Sequence, residues 1–478
     1  MTATVPVSDV DVAVVGGGIS GLAAAWRAHA RGLRVAVLES HATVGGKIRS
    51  ESRDGYLTEW GPNSFLGSAA TIWQLIEALD LGAEVVTALP PGDRYIYRNR
   101  RARRLPKGPA DFFRSPDFMT LGGKLRLLAE PFVFGDAAES DTLMAFARRR
   151  LGAEAAQYLV APFVAGIYAG DAEQLGARDA FPQLWQWEHE AGSVVMGALL
   201  NGPATPRASG PRRRGMFNFR NGFATLPLAI ASALPAGSVR TGWVAQVLTA
   251  DGDKRWRLTL RATHEPTQEA QVTARQVILA TPPRAAADIL RGPAFLEDAR
   301  RALEDVTLCR VAVVHFGGRD PDRLAPQGFG MLIPPGEGLR TLGILFPSSV
   351  FGDRAPAGHY LHTAFLGGAR DPDAADLPDE TLLSLARRAQ EEAFPGVAAL
   401  QQDFAQIVRW REAIPQYRVG HRQRMMAARA AVEAGLPGVT LAGNYLDGIS
   451  VNDAAASGIA ALDRLLPAAA PAVTKRAG

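Results

Sequence analysis

Gly16-Gly17-Gly18-Ile19-Ser20-Gly21 places Gly16, Gly18 and Gly21 at the spacing of a turn that cradles phosphate. The first glycine permits a tight turn, the second lets backbone approach a pyrophosphate, and the third lets a helix pack on a strand. Glu39, followed by Ser40, stands where such a unit carries the acid that binds ribose hydroxyls and repels a 2′-phosphate. Other reactive types are sparse. The one cysteine, Cys309, can form neither an internal disulfide nor a Cys-rich metal site. The 8 histidines show no paired-ligand spacing, and no Ser–His–Asp or Cys–His pattern offers a nucleophile. Arginines cluster at Arg94, Arg98, Arg100, Arg101, Arg103 and Arg104, again at Arg148–Arg150, and at Arg212–Arg214. Such clusters are either a solvated face or a field that attracts an anionic substrate or anionic headgroups.

These residues need elements to carry them. The apolar run 10–15 reads as a strand, 22–30 as an Ala-rich helix closed by Gly32, and 34–38 as a strand ending at Glu39. Strand, glycine turn, helix and strand make a βαβ dinucleotide unit, whose helix N-terminus offers N–H groups and a positive dipole end to a diphosphate. Gly45-Gly46-Lys47 and Glu59-Trp60-Gly61-Pro62-Asn63 follow, where a plain nicotinamide domain would start another αβ repeat. Far along the chain, Leu441-Ala442-Gly443-Asn444 reads as a strand entering a loop, with a small-residue helix over 453–465.

The middle is helical over 111–191, clearest at 142–151 and 153–164. The apolar stretch 121–135 reads either as a core helix or as a helix lying on a membrane surface. Residues 201–215 are a Gly/Pro/Arg linker. Strand patterns follow at 238–247, 255–260 and 272–280, then at 308–316, 328–333, 340–346 and 360–366, before a helix over Asp379–Ala393.

The chain has 478 residues, 47% of them hydrophobic and 21% charged, with a net charge of +4. That composition excludes wholesale disorder, suits about three structural units, and lacks the imbalance of a nucleic-acid binder. No stretch reaches the ~18 apolar residues of a spanning helix, and the first ten residues carry no basic n-region. The expected location is the cytoplasm, with the tail after 466 frayed.

The Gly-Gly-Lys loop after the acid resembles that of the amine-oxidase-like flavoproteins. Within them the chain is similar to the oxygen-dependent protoporphyrinogen oxidases. The resemblance rests on Gly61-Pro62-Asn63-Ser64-Phe65, Gly166-Ile167-Tyr168-Ala169-Gly170-Asp171, Gly328-Phe329-Gly330, Ile414-Pro415-Gln416-Tyr417 with Gly420-His421, and the segment 443–452. These stand in that family's order between residues 11 and 465.

The resemblance implies an α/β fold (α+β overall), in which a Rossmann-type FAD domain is interleaved with a substrate-binding mixed-sheet domain and a helical membrane-contact insert. The expected partition is 1–85, 238–296 and 426–478 for FAD, 86–109, 194–237 and 297–425 for substrate, and 110–193 for the insert. It implies six-electron oxidation of protoporphyrinogen IX by FAD, with O2 as acceptor and H2O2 released. Coproporphyrinogen III, or the substrate of another amine-oxidase-like flavin oxidase, is the alternative. The dense arginines would suit the four propionates of coproporphyrinogen, whereas Asn63 favours protoporphyrinogen.

FAD is expected on Gly16, Gly17, Gly18, Ile19, Ser20, Gly21, Glu39, Ser40, Gly46, Lys47, Gly61, Pro62, Asn63, Ser64, Val244, Trp410, Gly443, Asn444, Gly448, Ile449, Ser450 and Val451. It would be held non-covalently, because Cys309 is far in sequence from the terminal flavin segment. Asn63 would face the macrocycle and orient it, Arg94 would pair with a propionate, and Leu332, Leu345 and Phe365 would sandwich a pyrrole ring. Gly166 and Ala169 would bring backbone close to the ring. The resemblance implies contact with the inner face of the cell membrane and leaves open a ferrochelatase partner and a homodimer; residue spacing and charge give no support for a metal or for nucleic acid.

Overall fold

The computed structural model describes residues 8–90, 92–115, 119–135, 138–201, 213–252 and 254–467. Arg212, most of the linker 201–215 and the tail from 468 lie outside them.

Ser8–Val15 lies between Val35–Leu38 and Glu269–Leu279, parallel to both. Its central residues Val12, Ala13 and Val14 are wholly buried, so the run is continuously apolar rather than alternating. Glu269–Leu279 takes two partners along its other edge. Residues 269–274 pair with the antiparallel hairpin of Trp256–Ala262 and Trp243–Ala250, and 277–279 pair in parallel with Val439–Leu441. Val239–Arg240 closes the sheet beside Val35–Leu38, completing seven strands. Chain from the beginning, middle and end of the sequence thus builds one sheet. Ile19–Ala30 and the C-terminal helix Val451–Leu465 share one core on its face, and a Cβ on Gly458 would overlap Ser20 O.

A second seven-stranded sheet runs in the order Phe404–Trp410, Val311–Arg319, His359–Gly367, Thr341–Leu345, Gly330–Leu332, Arg94–Arg98, Arg101–Arg104. Met331, Ile344 and Ala364 on one face pack against Leu382, Ala386, Ala389 and Ala393. That three-to-four spacing is why Asp379–Ala393 is a helix with one buried side.

The insert is helical, with Leu143–Leu151 capped by Thr142, whose hydroxyl accepts from Ala145 N at 3.2 Å. The expected helix over 153–164 extends through Ala161–Tyr168, and Ala156–Val160 within it is wound as a π-turn. Leu121–Leu128 is not a core helix. Lys124 is its buried residue, donating to Ser115 O at 2.7 Å, while Leu121, Leu125 and Leu128 are exposed.

Packing also divides 194–237, which was expected with the substrate unit. Val194–Asn201 is tied to the insert, with Val194 N donating to Glu130 at 2.9 Å. Met216–Phe219 pairs with Phe65–Leu66 and Val85–Thr87, and Thr225–Ser232 packs into the core of the first sheet. The apolar faces of the last two segments match the core of the first sheet rather than that of the second.

Candidate active site

The glycine turn meets two demands. A Cβ on Gly16 would lie 2.5 Å from Ala280 O, and one on Gly21 would overlap Gly16 O, so both positions are set by packing. A Cβ on Gly18 would meet nothing within 4 Å, so open space lies before the N-terminus of Ile19–Ala30. That terminus has no side-chain cap and no acidic residue in its first turn. An uncapped N-terminus facing open space fits a diphosphate. Glu39 is buried and accepts from Gly17 N at 2.6 Å and His41 N at 2.7 Å, which fixes its carboxylate beside the turn. Ser40 follows it, its hydroxyl donating to Glu39 at 3.2 Å. Trp243 N donates to Glu39 O at 2.9 Å, which brings the neighbouring Val244 to the same end of the sheet. Thr281, beside Gly16, has a buried hydroxyl with no hydrogen-bond partner.

The second loop closes on the first. Gly45 N donates to Gly17 O at 2.8 Å, and a Cβ on Gly46 would stand 3.2 Å from Gly18 Cα. Lys47 forms no ion pair among the described residues, and loss of hydration lowers its pKa to about 8 against the opposing charge of Glu412. A desolvated cation without an ion-pair partner fits an anionic cofactor. Gly61 packs on Lys47 O, so the turn of Pro62, Asn63 and Ser64 starts from this loop. Trp410 Nε1 donates to Trp60 O at 2.6 Å and holds that turn from the other side.

The terminal segment arrives on Val439–Leu441. Gly443 has φ +147°, a region that favours glycine, and its N donates to Ser457 Oγ at 3.1 Å. Asn444 O accepts from Tyr417 OH at 2.7 Å, and Tyr445 O contacts His421 Nε2 at 2.7 Å. Gln416 Nε2 reaches Tyr168 O at 2.9 Å. The Pro-Gln-Tyr and Gly-His motifs therefore clamp the terminal loop to the end of Ala161–Tyr168. Spacing alone hid these contacts, because the receiving groups are backbone carbonyls distant in sequence. Ser450 caps Val451–Leu465, accepting from Asp453 N at 3.1 Å; the helix starts at Val451, not at 453. Asp453 lies in that first turn and against Gly448, so the positive end of the helix already faces one carboxylate. Ile449 packs on the insert's core and Val451 on the core of the first sheet.

On the second sheet, Leu332 is in register with Gly343, Gly343 with Phe365, and Leu345 with Gly330 and Thr363. Directly paired residues and those two apart share a face, so Leu332, Leu345 and Phe365 all lie opposite the helix-covered side. All are partly buried. A Cβ on Gly166 would come within 2.7 Å of Leu332 Cδ2, so Gly166 is small to admit Leu332. Ala169, at φ +46° after Ala161–Tyr168, packs with Cys309, Phe365, Trp60 and Trp410, and its O accepts from Ala369 N at 2.7 Å. Asn63, Ser64, Phe329, Leu345 and Thr363 line a cavity of about 30 Å³ between the two units.

The arginine clusters are largely neutralised. Arg98 pairs with Glu154 at 3.0 Å, Arg100 with Glu392 at 3.6 Å, and Arg104 with Asp93 and Asp111 at 3.7 and 3.4 Å. Arg149 and Arg150 join Glu130 and Glu188 in a buried network, and Arg148 pairs with Glu173 at 2.7 Å. Arg213 lies over Trp73 at 3.8 Å and pairs with Glu77 at 3.4 Å. Arg94 and Arg101 form no ion pair among the described residues; Arg94 is exposed and lies 5.3 Å from the Phe329 ring centroid. It opens the strand paired with Gly330–Leu332 and is in register with Gly330.

Residues 19–466 match the family of flavin containing amine oxidoreductases. The chain is 32% identical to a mitochondrial protoporphyrinogen oxidase of Nicotiana tabacum, over 95% of this chain and 94% of that one. It is 29% identical to a coproporphyrinogen III oxidase of Bacillus subtilis (strain 168), over 95% and 97%. A solved protein of Exiguobacterium sp. 255-15 superposes with a TM-score of 0.81 at 25% identity, covering 96% of this chain and 99% of that one.

Proposed function

Since the chain belongs to the flavin-containing amine oxidoreductases, as an FAD-dependent enzyme of the porphyrinogen-oxidising branch, we propose that its substrate is protoporphyrinogen IX and its electron acceptor dioxygen. FAD, when bound, supplies hydride acceptance from the substrate and electron transfer to dioxygen. Six hydrogens leave the macrocycle, so three O2 become three H2O2 for each porphyrin formed.

The carrying observation is the face formed by Leu332, Leu345 and Phe365, with the unpaired Arg94 at its edge and the Asn63 turn across from it. The three apolar side chains hold a pyrrole ring. Arg94 takes a propionate through its two-pronged guanidinium. Asn63 Nδ2 donates to Gly61 O at 3.0 Å, leaving Oδ1 to accept a pyrrole N–H. The run from 94 to 104 pairs Arg98, Arg100 and Arg104 with carboxylates of this chain and leaves Arg94 and Arg101 without an ion pair among the described residues, which favours a substrate with few propionates over one with four.

FAD is held on the glycine turn, Glu39 and Lys47 without a covalent bond. The Cys309 thiol is turned to Tyr168 O at 3.6 Å, and burial raises its pKa, so it stays in its less nucleophilic form. The exposed Phe113, Leu121, Leu125, Leu128, Phe132 and Phe134 make the insert a membrane-resting surface. No helix among the described residues is long and apolar enough to cross a membrane.

The test is aerobic turnover of protoporphyrinogen, with porphyrin read by fluorescence and peroxide by a coupled dye. A ratio of three peroxides per porphyrin is expected. Porphyrin formation without peroxide would refute the acceptor, and no porphyrin from flavin-replete protein would refute the substrate.

A further inference from the structure

Asn63 is not placed by its own turn alone. Its backbone O accepts from Asn218 Nδ2 at 2.8 Å, and the same amide donates to Glu59 Oε1 at 2.9 Å. Glu59 also accepts from Phe223 N at 2.9 Å and from Ser50 Oγ at 2.6 Å, while Ser50 Oγ accepts from Ala224 N at 3.0 Å. Glu59 and Asn218 are 4% and 0% exposed. The hairpin of Ser50–Arg53 and Tyr56–Glu59, the Asn63 turn, the strand Met216–Phe219 and the turn before Thr225–Ser232 all meet here.

A carboxylate this deep is costly unless fully hydrogen-bonded, and desolvation pushes the Glu59 pKa upward. Glu59 forms no ion pair among the described residues. The neighbouring Arg354 is engaged with Phe219 O at 3.0 Å and Asp353 at 3.0 Å. Hydrogen bonds, helped by the nearby charge of Arg354, therefore hold the acid, and one of its donors, the Asn218 amide, also reaches the backbone of Asn63. A buried network with every member satisfied has one geometry, which is how a reactive turn is kept rigid.

We propose that Glu59 and Asn218 are positioning residues for the porphyrinogen reaction: through their shared hydrogen bonds they fix the Asn63 turn against the macrocycle. This rests on the reading that Asn63 faces the substrate.

The test uses the flavin-loaded protein and four variants: Glu59→Gln, Asn218→Ala, Asn63→Ala, and Glu59→Gln combined with Asn63→Ala. FAD content, Tm, kcat and KM are read for each. Glu59→Gln and Asn218→Ala are expected to keep FAD and to lose about 10-fold in kcat/KM, the scale of one charge-assisted hydrogen bond. The double variant is expected to be no slower than Asn63→Ala alone, because residues acting through one another are not additive. The inference is overturned if the Glu59→Gln loss recurs in full on the Asn63→Ala background. It is overturned equally if both variants turn over like the parent, or if both lose flavin, which would assign the cluster to holding the fold. An Asn63→Ala variant with parental kcat/KM would instead remove the role of Asn63.

Discussion

Gly18 and Gly21 sit three positions apart in one turn and are glycine for opposite reasons. Gly21 has no room for a methyl group, whereas Gly18 faces open space in an ordinary extended conformation. Gly21→Ala should lower the Tm of the apoprotein; Gly18→Ala should leave that Tm nearly unchanged and abolish FAD retention. Equal behaviour of the two in calorimetry would show that the open space is not a binding site. Glu39→Ala should release FAD on dialysis, read by flavin absorbance. Spacing was enough to locate this turn because the packing that sets its geometry, Gly21 against Gly16 O, is local. Tyr417 and His421 were visible only as part of a motif, since nothing in a sequence marks which distant carbonyl a phenol or imidazole will reach.

At the scale of elements, the strands were legible in position and imprecise at their ends. The run over 308–316 is displaced to Val311–Arg319, and 238–247 is broken into Val239–Arg240 and Trp243–Ala250, because pairing rather than composition sets where a strand stops. Leu121–Leu128 could not be placed from periodicity. Its apolar side chains have the right spacing for a core, yet the buried residue is Lys124, held by the carbonyls of Phe113 and Ser115. The inversion puts Phe132 and Phe134, 76% and 92% exposed, on the rim of the insert. Phe132→Ser with Phe134→Ser should reduce flotation with anionic liposomes several-fold while leaving turnover of detergent-dispersed substrate intact. Parental flotation would mean that this rim does not meet lipid. The C-terminal helix offers a complementary check: Gly458→Leu should separate it from Ile19–Ala30 and lower both Tm and FAD content.

Across the whole molecule, buried histidines set the response to acid. His315, His362 and His421 are 2% exposed or less, and desolvation pulls them down to about 3, 4 and 4. The unfolded chain takes up protons near pH 6.5, before the folded one does, so their stabilisation is complete above that pH and is lost as pH falls to about 4 for His362 and His421 and about 3 for His315. The loss is up to about 1.4 kcal/mol per pH unit for each histidine. Glu59 acts in the opposite sense, its pKa being raised, but it is one group. Tm should therefore fall between pH 7 and pH 5, and a flat profile would contradict the buried neutral state.

The interleaving of the chain was readable from motif order alone, whereas the division of 194–237 was not, because only packing reveals which core an apolar segment joins. In the proposed reading substrate choice also belongs to the whole molecule, since the residues assigned to it, Arg94, Asn63 and Phe365, come from separate parts of the chain. It is tested most directly by kcat/KM for protoporphyrinogen and coproporphyrinogen side by side, with the parent and Arg94→Ala. Protoporphyrinogen should be preferred at least about tenfold, and Arg94→Ala should lose about 10- to 100-fold with FAD still bound, as expected for one charge-assisted contact. Equal or faster turnover of coproporphyrinogen, or an Arg94→Ala variant with parental kcat/KM, would contradict the assignment.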